Sequence, residues 1–507
     1  MWLSRDVLQH ALRFFVLLPV KSARTPDIKE LFGPKLSPGA EIILRSDVNW
    51  TQKVQQRWSA YLAPDYMGAV KAATVEDVQN TVKTATAHSI SFVAIGAGHG
   101  SASTLSGINS GIQIDLGNFR YAKLNKRKDL VTVGGGTKFE QVWDTLYPAG
   151  KEFPTGAAPC VGTLGPTLGG GIGTLQGLRG LTLDSLVSVQ IVTAKGELIT
   201  ASKKKNAELF WGIRGAGYNF GIVTEATYKV YDATNGGQVM NGDFKFPASA
   251  NRSFFEIMER FDNTLPAELS FSTIISFDRA INELVLSVNV NYYGPMDDAL
   301  PYLATLFALN PLESKFVMVP WNKLYTVLFF GKDSMMCLRN LHLYTSGGGL
   351  KQTNVANFES YFEDLNQFFR ENTEVGGAFV VSRFSNDAVV AVENDETAYG
   401  RRHREIKTHL IFIDVYPDDP ALDTIVDNFT KYSVDKLHQT SGFDDLTTYV
   451  NYANGDEGPE VWYDVDKLER LAALKRKWDP EERFSFYQPV PLYWPPVTQP
   501  MPSNEDL

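Results

Sequence analysis

The sequence is poor in cysteine, in long apolar runs and in positive charge, and each shortage excludes a class of protein. Only Cys160 and Cys337 occur among 507 residues, so at most one disulfide can form and no disulfide framework can hold the fold. No apolar run approaches the roughly 18 to 20 residues that a bilayer span requires. The net charge of -10 and the pI near 5.4 argue against a nucleic-acid partner, because such proteins usually present a basic face. We therefore predict no membrane span and no nucleic-acid partner, and we predict no metal site.

An apolar stretch at residues 11–20 could form the core of a signal peptide. Arg13 interrupts it, and no clean small-x-small cleavage site follows. Asn-x-Ser/Thr triplets at Asn49, Asn251 and Asn428 would accept glycans in a secretory compartment, but such triplets often arise by chance. The compartment stays open, with a slight lean toward an intracellular protein.

A glycine loop that contains one histidine follows a short apolar, β-branched segment. Residues 94–100 read AIGAGHG, and a second glycine cluster, LGGGIG, occupies residues 168–173. Glycines let several backbone N–H groups turn toward one anion with no Cβ in the way, as a diphosphate requires. The two clusters together predict a bound dinucleotide with His99 facing it. Taken alone, the first loop is equally consistent with a tight turn and a satisfied polar histidine.

The first 230 residues mix helix and strand patterns. Residues 75–82 carry apolar side chains at helical spacing, whereas residues 112–116 and 222–231 read as strands. A GxGxxxG spacing at residues 215–221 resembles a nucleotide-binding turn, but a Rossmann motif must open a helix, and here a strand pattern follows. We therefore reject Rossmann binding of NAD and place a domain boundary near residue 230.

A different pattern, strand-strand-helix, repeats from residue 269 to about residue 439. It predicts an antiparallel sheet covered by helices. The strand patterns are at 269–277, 284–293, 378–384 and 408–416, and the helix patterns are near 298–308, 358–370 and 421–437. Aromatic residues of this region could line an apolar pocket, although each taken singly fits a core position better: Trp321, Tyr325, Phe329, Phe330, Phe379, Phe384 and Phe412.

A third signature, TYVNYANGD at residues 448–456, precedes an LKRKWDP segment near the end of the chain. Four motifs then stand in order: GHG, VGTLGPTLGGGIGTLQG, ELFWGIRGAGYNFGIVT, and YVNY with LKRKWDP. On these motifs the sequence resembles the berberine-bridge-enzyme-like group of the vanillyl-alcohol-oxidase type FAD oxidases, in particular fungal FAD-linked oxidoreductases of secondary-metabolite pathways. The resemblance runs from about residue 58 to about residue 490.

The resemblance implies an α+β fold with a bipartite FAD-binding domain of the PCMH type. An inserted substrate domain, an antiparallel sheet covered by helices, separates the two parts. The implied division is an N-terminal extension at 1–57, the FAD-binding domain at 58–232, the substrate-binding domain at 233–448, and a berberine-bridge-like segment at 449–507 that returns to the FAD-binding domain.

The resemblance also implies which residues hold FAD. His99 matches the histidine that bonds to the 8α carbon of the isoalloxazine. The remaining cofactor-binding residues are expected to be Gly96, Ala97, Gly98, Gly100, Ser101, Gly162, Thr163, Gly165, Gly169, Gly173, Ile222, Val223 and Asn451.

Many relatives attach the flavin a second time, through a cysteine. The matching position here is Ala158, so Cys160 lies two residues late, which displaces its side chain by roughly 6 to 7 Å in an extended segment. We therefore predict a single covalent link, through His99. Cys160 is expected to be a buried thiol packed under the flavin loop, although a linking role stays open.

The resemblance implies that Tyr452 acts as the base and that Tyr449 contacts the substrate, while hydride passes to flavin N5. A simple packing role for both tyrosines stays open. A partner that lowers the phenol pKa should fall near Phe379 or Val380, which are apolar. Leu410 and Phe412 are also apolar, where carbohydrate-oxidising relatives carry polar contacts, and His409 is a candidate lining residue.

The apolar residues favour an FAD-dependent oxidase that dehydrogenates a small hydrophobic secondary metabolite, a polyketide, terpenoid or alkaloid, and passes electrons to O2 as H2O2. A carbohydrate oxidase, a flavin-dependent cyclase of the same fold and a non-enzymatic flavin-binding protein are the alternatives. The expected partners are this small molecule and O2, and the oligomeric state is unknown.

Overall fold

The computed structural model of the chain describes residues 27–331 and 335–495. The apolar stretch at residues 11–20 lies outside the described residues. Within the described part of the chain, no helix combines the length and the apolar character that crossing a bilayer requires.

A small mixed sheet carries the first glycine loop. Its strands are β1 (Glu41–Leu44), β2 (Tyr66–Lys71), β3 (Phe92–Ile95) and β4 (Gly111–Asp115), in the order β1-β2-β4-β3. The last three run parallel, and β1 pairs antiparallel at the edge. Because ligand-binding loops leave the carboxyl ends of buried parallel strands, the loop after β3 is placed to meet a ligand.

A second, antiparallel sheet packs beside the first. Its strands have the order β5-β6-β10-β8-β9, and a two-stranded ribbon, β7 with β11, joins it to the next domain. The strands are β5 (Ala122–Leu124), β6 (Leu130–Gly134), β7 (Lys151–Glu152), β8 (Leu186–Val192), β9 (Leu198–Ser202), β10 (Ile222–Lys229) and β11 (Tyr231–Asp232). The predicted strand after the 215–221 turn is therefore confirmed, and this turn opens no helix of a Rossmann unit.

A seven-stranded antiparallel sheet forms the inserted part, in the order β15-β12-β14-β13-β17-β18-β16. Its strands are β12 (Gln238–Pro247), β13 (Leu269–Asp278), β14 (Glu283–Tyr292), β15 (Glu313–Pro320), β16 (Leu343–Leu350), β17 (Gly376–Phe384) and β18 (Thr408–Val415). Strands β12, β15 and β16 were not predicted. They carry less regular alternation, and β16 contains three successive glycines.

Helices cover one face of this large sheet. In β14, Leu286, Val288 and Val290 point into the helix-covered core, whereas Asn289 and Asn291 alternate with them on the opposite face. The helices of the described residues are α1 (Ile28–Phe32), α2 (Trp50–Lys53), α3 (Val75–Ala87), α4 (Phe139–Leu146), α5 (Leu164–Leu168), α6 (Gln176–Arg179), α7 (Ala207–Ala216), α8 (Asn251–Arg260), α9 (Met296–Phe307), α10 (Leu328–Gly331), α11 (Val355–Glu371), α12 (Asp387–Val390), α13 (Arg401–Arg404), α14 (Pro420–His438), α15 (Pro459–Trp462) and α16 (Val465–Trp478).

Local signals explain where the long helices begin. Thr74 and Asp77 form a capping box at the start of α3. Asp419 accepts the N–H of Ala421 at the start of α14, and Pro420 occupies the first helical position, where a missing N–H is tolerated.

The C-terminal segment returns to the first half of the chain. Residues of α16 share a buried core with α7 and β10, and Lys475 of α16 donates to the carbonyl oxygen of Asn219. This return brings the YVNY motif back onto the glycine-rich segments, although the two are far apart in sequence.

Candidate functional site

One cavity of about 360 Å³ joins the motifs. It lies between the first sheet, the second sheet and the face of the large sheet opposite its helices. Thirteen of the sixteen predicted site residues line it: Gly96, Ala97, Gly98, His99, Gly100, Ser101, Gly162, Gly165, Ile222, Val223, Tyr449, Asn451 and Tyr452. The other three lie behind the lining and are described below.

The backbone of the first loop needs its glycines. Gly98 has φ +76°, and an added Cβ would lie 2.4 Å from the carbonyl oxygen of Gln56. At Gly96 an added Cβ would lie 2.5 Å from the carbonyl oxygen of Gly135. The N–H of Trp58 donates to the carbonyl oxygen of Gly98 at 2.8 Å, which holds the loop against the segment before β2. The two glycines are therefore required because neighbouring backbone leaves no room for a side chain at either position.

His99 lies at the wall of the cavity between an aromatic ring and a cation. Its ring centroid is 5.9 Å from that of Trp58, and its Nε2 lies 2.9 Å from Nη1 of Arg339. Burial and the positive charge of Arg339 lower the pKa of His99 to about 3. Because a guanidinium only donates, the imidazole is neutral and Nε2 carries the lone pair.

Cys160 is not the free thiol that the sequence led us to expect. It forms a disulfide with Cys337, with a Cα–Cα distance of 5.7 Å across a sequence separation of 177 residues. No cysteine of the described residues remains free. The expectation of a thiol was wrong because the partner comes from the inserted part of the chain, which local sequence around Cys160 does not reveal.

The second glycine loop packs beneath the YVNY motif. Gly170 and Gly171 have φ +139° and +87°, and the N–H of Gly171 donates to the phenol oxygen of Tyr449 at 2.9 Å. Gly169 and Gly173 do not line the cavity. A Cβ on Gly169 would lie 2.5 Å from Oδ1 of Asn451, and one on Gly173 would lie 2.0 Å from the carbonyl oxygen of Thr155.

Thr163 also lies behind the cavity wall, where it is fully buried. Its N–H donates to the carbonyl oxygen of Thr137, and its own carbonyl accepts from the hydroxyl of Thr167. In this structure it supports the loop after Gly162 and does not face the cavity.

Asn451 connects two tyrosines. Its Nδ2 donates to the carbonyl oxygen of Pro166 at 3.1 Å and to the phenol oxygen of Tyr449 at 2.5 Å, and its Oδ1 accepts from the phenol of Tyr218. The amide therefore fixes Tyr449 against the loop that contains Gly165, whose carbonyl also accepts from Tyr218.

The two tyrosines of YVNY differ in their surroundings. Their rings meet edge to face, with centroids 5.0 Å apart. Burial raises the pKa of Tyr449, while hydrogen bonds from Gly171, Asn451 and Ile172 oppose the rise. Burial raises the pKa of Tyr452, and the Tyr449 phenol adds to the rise. Within the described residues, neither phenol has a cationic partner, so no lysine or arginine of the large sheet activates them here.

The strand register corrects the expected sheet contacts. Phe379, Leu410 and Phe412 lie in the helix-covered core, where Phe379 and Phe412 stack at 4.8 Å. The residues of β18 on the opposite face are His409, Ile411 and Ile413, and Ile411 lines the cavity. Leu410 and Phe412 therefore cannot contact a substrate, because a shift of one residue in a strand exchanges the two faces.

His409 packs against the first YVNY tyrosine. Its ring centroid is 5.7 Å from that of Tyr449 and 6.5 Å from that of Phe384. Burial, and to a lesser degree the charge of His403, lower the pKa of His409 to about 3. His409 does not line the cavity itself, so its contact with the site passes through Tyr449.

Trp321 and Tyr325 line a separate, smaller cavity of about 30 Å³ with Trp143 and Tyr293. It meets the larger cavity at Gly156 and Ala157, which line both. Phe329 and Phe330 line neither cavity, and their N–H groups donate to the buried carboxylate of Asp243.

Sequence reasoning missed several lining residues. Arg57, Trp58, Tyr218, Met336 and Tyr487 all border the cavity. Tyr218 lies inside the ELFWGIRGAGYNFGIVT motif and Tyr487 in the segment that follows LKRKWDP, so a motif search could have found these two. Arg57, Trp58 and Met336 come from segments with no motif, and only their packing places them here.

Comparison with known proteins shows which families this chain matches. Residues 67–202 match the family described as FAD binding domain, and residues 448–491 match the family described as berberine and berberine like. The FAD-linked oxidoreductase azaL of Aspergillus niger is 46% identical over 460 residues, which cover 90% of this chain and 98% of that protein.

Solved structures share the fold. BBE-like 1 of Physcomitrella patens has a TM-score of 0.80 at 24% identity and covers 92% of this chain and 100% of its own. A glucooligosaccharide oxidase of Acremonium strictum, described with a 6-S-cysteinyl, 8α-N1-histidyl FAD, has a TM-score of 0.77 at 22% identity, with coverage of 92% and 100%. The identity to azaL along nearly all of both chains establishes that this protein belongs to the berberine-bridge-enzyme-like FAD-linked oxidoreductases.

Proposed function

We propose that the protein is an FAD-dependent oxidase that dehydrogenates a small hydrophobic secondary metabolite and passes the electrons to O2, which becomes H2O2. The observation that carries this proposal is the convergence of the His99 loop, the second glycine loop and YVNY on a single cavity. When bound there, FAD supplies the hydride acceptor at N5.

The cavity fits a dinucleotide in the arrangement of its backbone and polar atoms. Nε of Arg57 and Nδ1 of His99 are buried and make no hydrogen bond of normal geometry within the described residues, although weak contacts with Tyr66 and with the backbone of Cys160 act on the two side chains. Buried polar atoms normally have partners, so these two are suited to a ligand. Gly96, Gly98 and Gly100 line the same cavity and place no side chain in it.

We propose one covalent link, from His99 to the 8α carbon. The glucooligosaccharide oxidase is described with both a histidyl and a cysteinyl attachment. Here the sulfur of Cys160 is bonded to that of Cys337, and Ala158 has no sulfur. A second attachment through a thiolate would require this disulfide to be broken.

Tyr452 is the proposed base, although burial raises the pKa of its phenol and no cation of the described residues lowers it. Its ring borders the cavity, and its phenol has no hydrogen-bond partner among the described residues, so a substrate hydroxyl can reach it. Tyr449 is held by donors from Gly171 and Asn451 and is proposed to fix the substrate beside Tyr452. A positioned base contributes roughly 10²- to 10⁴-fold to a rate.

Apolar side chains near the tyrosines support a hydrophobic substrate. Ile411, Ile172 and Met336 line the cavity beside Tyr449 and Tyr452. On the same face of the large sheet, the buried Asn289 donates to Asn241 and Asp243, so these polar groups are already engaged with one another. None of these three polar residues lines the cavity.

The test is an absorption spectrum of the purified protein, followed by acid denaturation and peptide mapping. We expect the flavin to stay on the peptide that contains His99 and to be released by the His99→Ala variant. A protein that cannot take up FAD would overturn the proposal, and release from the wild type would remove the covalent link.

The chemistry is tested separately, by anaerobic flavin reduction with a panel of polyketides, terpenoids, alkaloids and oligosaccharides, and by H2O2 formation in air. Tyr452→Phe should slow reduction by roughly 10²- to 10⁴-fold, whereas Tyr432→Phe, on the exposed side of α14, should not. Faster turnover of oligosaccharides than of any apolar compound would favour the carbohydrate-oxidase alternative.

A further inference from the structure

The histidine of the first glycine loop has a cationic neighbour from a distant part of the chain. Nη1 of Arg339 lies 2.9 Å from Nε2 of His99, across a sequence separation of 240 residues. Nδ1 of the same imidazole is buried and makes no hydrogen bond of normal geometry within the described residues, although a weak contact with the backbone of Cys160 acts on the ring. The two ring nitrogens are therefore inequivalent.

The segment that carries Arg339 is held on both sides of it. Two residues before it, Cys337 is bonded to Cys160, which lies in the loop that leads to Gly162. Immediately after it, the N–H groups of Asn340 and Leu341 donate to the carbonyl oxygens of Arg57 and Trp58 at 2.8 and 3.1 Å.

A further bond closes this attachment. The N–H of Ala60 donates to the carbonyl oxygen of Leu341 at 2.7 Å, which completes a short parallel bridge between Ser59 and Leu341. Arg339 therefore stands between a covalent anchor and a backbone anchor. The backbone of Arg339 is therefore fixed on both sides, beside the imidazole.

The chemistry of arginine makes this contact directional. A guanidinium stays protonated and offers only N–H donors. The nitrogen that faces it must present its lone pair, and a nitrogen bonded to a carbon substituent has no lone pair to present in the ring plane. Arg339 therefore disfavours a bond at Nε2. In this tautomer Nδ1 carries the proton of the neutral imidazole, and the positive charge beside Nε2 favours the loss of that proton when Nδ1 bonds to the flavin.

The proposed function supplies the premise of a histidyl link. On that premise, we propose that Arg339 is a positioning residue that directs the link to Nδ1 of His99, and that the Cys160–Cys337 disulfide keeps Arg339 in place.

The step balances with O2 as the oxidant. Nδ1 and the 8α carbon each give up one hydrogen as the N–C bond forms. The electron pair released reduces the flavin and then passes to O2, which takes up the two hydrogens as H2O2. Arg339 neither gains nor loses a proton, and Nε2 of the linked imidazole continues to accept its hydrogen bond.

The experiment measures how fast, and through which nitrogen, added FAD becomes linked to full-length protein isolated from riboflavin-starved cells. The rate is the growth of acid-stable flavin on the His99 peptide, and NMR of that peptide identifies the nitrogen. The variants are Arg339→Met and Arg339→Lys. The matched control is Arg127→Met, whose side chain is 78% exposed in a surface turn.

We expect Arg339→Met to link at least tenfold more slowly, or through a mixture of nitrogens, while it still binds FAD. Arg339→Lys should recover part of the rate, because it restores a cationic donor, and Arg127→Met should match the wild type. The midpoint potential of the linked flavin should fall in Arg339→Met, because a positive charge near the ring favours the reduced, more negative form. A purely structural role would move neither the nitrogen nor the potential.

Three results would overturn parts of this inference. Linkage of Arg339→Met through Nδ1 alone, at the wild-type rate, would refute the role of Arg339 and leave the proposed function intact. Release of all flavin from the wild type would refute the histidyl link and the inference with it. An unchanged rate in Cys160→Ser/Cys337→Ser would refute the role of the disulfide.

If the double serine variant does not fold, the wild type can be reduced and its two thiols alkylated before FAD is added. Slower linkage after this treatment supports the role of the disulfide, and an unchanged rate refutes it.

Discussion

Acid should destabilise this protein in part through His409. The imidazole is buried against Tyr449 and Phe384, and its Nδ1 has no hydrogen-bond partner within the described residues. Burial and the charge of His403 lower its pKa to about 3 from the ordinary value of 6.5. The unfolded chain therefore takes up this proton first as the pH falls. The contribution of the neutral, buried His409 to stability is therefore complete above pH 6.5 and is lost progressively as the pH falls toward 3.

The magnitude follows from the size of the shift. One pKa unit corresponds to about 1.4 kcal/mol, so the whole window is worth about 5 kcal/mol of unfolding free energy. Between about pH 8 and about pH 5, the linkage relation gives a loss of about 2 kcal/mol. His409→Asn removes the titrating group. This variant should lose about 2 kcal/mol less than the wild type over the same interval, whatever its stability at pH 8.

The assay is urea unfolding of the flavin-loaded protein, followed by tryptophan fluorescence at both pH values. His88→Asn is the matched control, because His88 is exposed at the end of α3. We expect the control to keep the pH dependence of the wild type. Equal losses for His409→Asn and the wild type would refute the reasoning and would mean that His409 finds a proton acceptor or water in the folded protein.

Three further substitutions test the packing. Burial raises the pKa of Asp414 to about 7, so the protonated carboxyl group stabilises the fold most at low pH, and this stabilisation is lost as the pH rises toward 7. Asp414→Asn should therefore flatten the dependence of stability on pH and raise the unfolding free energy at about pH 8 by a few kcal/mol. An unchanged pH dependence would contradict this. Lys475→Met leaves the buried carboxylate of Asp479 without its ion-pair partner and should lower the unfolding free energy by about 3 to 5 kcal/mol. The double variant Lys475→Met/Asp479→Asn should recover most of this loss. No loss in the single variant would show that the carboxylate is otherwise satisfied. Gly173→Ala places a Cβ 2.0 Å from the carbonyl oxygen of Thr155, so it should reduce soluble yield and flavin content, and a flavin content equal to that of the wild type would contradict the steric argument.

The sequence predicted the local parts of the site well. The glycines of the His99 loop, the rejection of a Rossmann turn at 215–221 and the sheet covered by helices all rest on short-range patterns. Backbone conformation at a glycine, the start of a helix or the alternation along a strand depends on residues a few positions apart. Such features can be read without knowing what lies across the fold.

The face that each strand residue occupies and its long-range contacts were harder to predict from the sequence. Leu410 and Phe412 were expected near the substrate, but they lie on the helix-covered face of β18, and His409 and Ile411 take the other face. Apolar residues run continuously through this strand, so alternation could not assign its faces. When both faces of a strand are buried, the alternation of apolar and polar residues that normally distinguishes the two faces is absent.

The sequence by itself determined the family, the FAD that its motifs call for and the positions in the two loops where glycine is required. Only the tertiary structure decided that Cys160 pairs with Cys337, that Arg339 faces His99 and that Thr163 stands behind the cavity wall. The reason is physical. Conformational preferences of a loop are set by its own residues, whereas a contact between residues hundreds of positions apart exists only after the packing of the intervening sheets has brought them together.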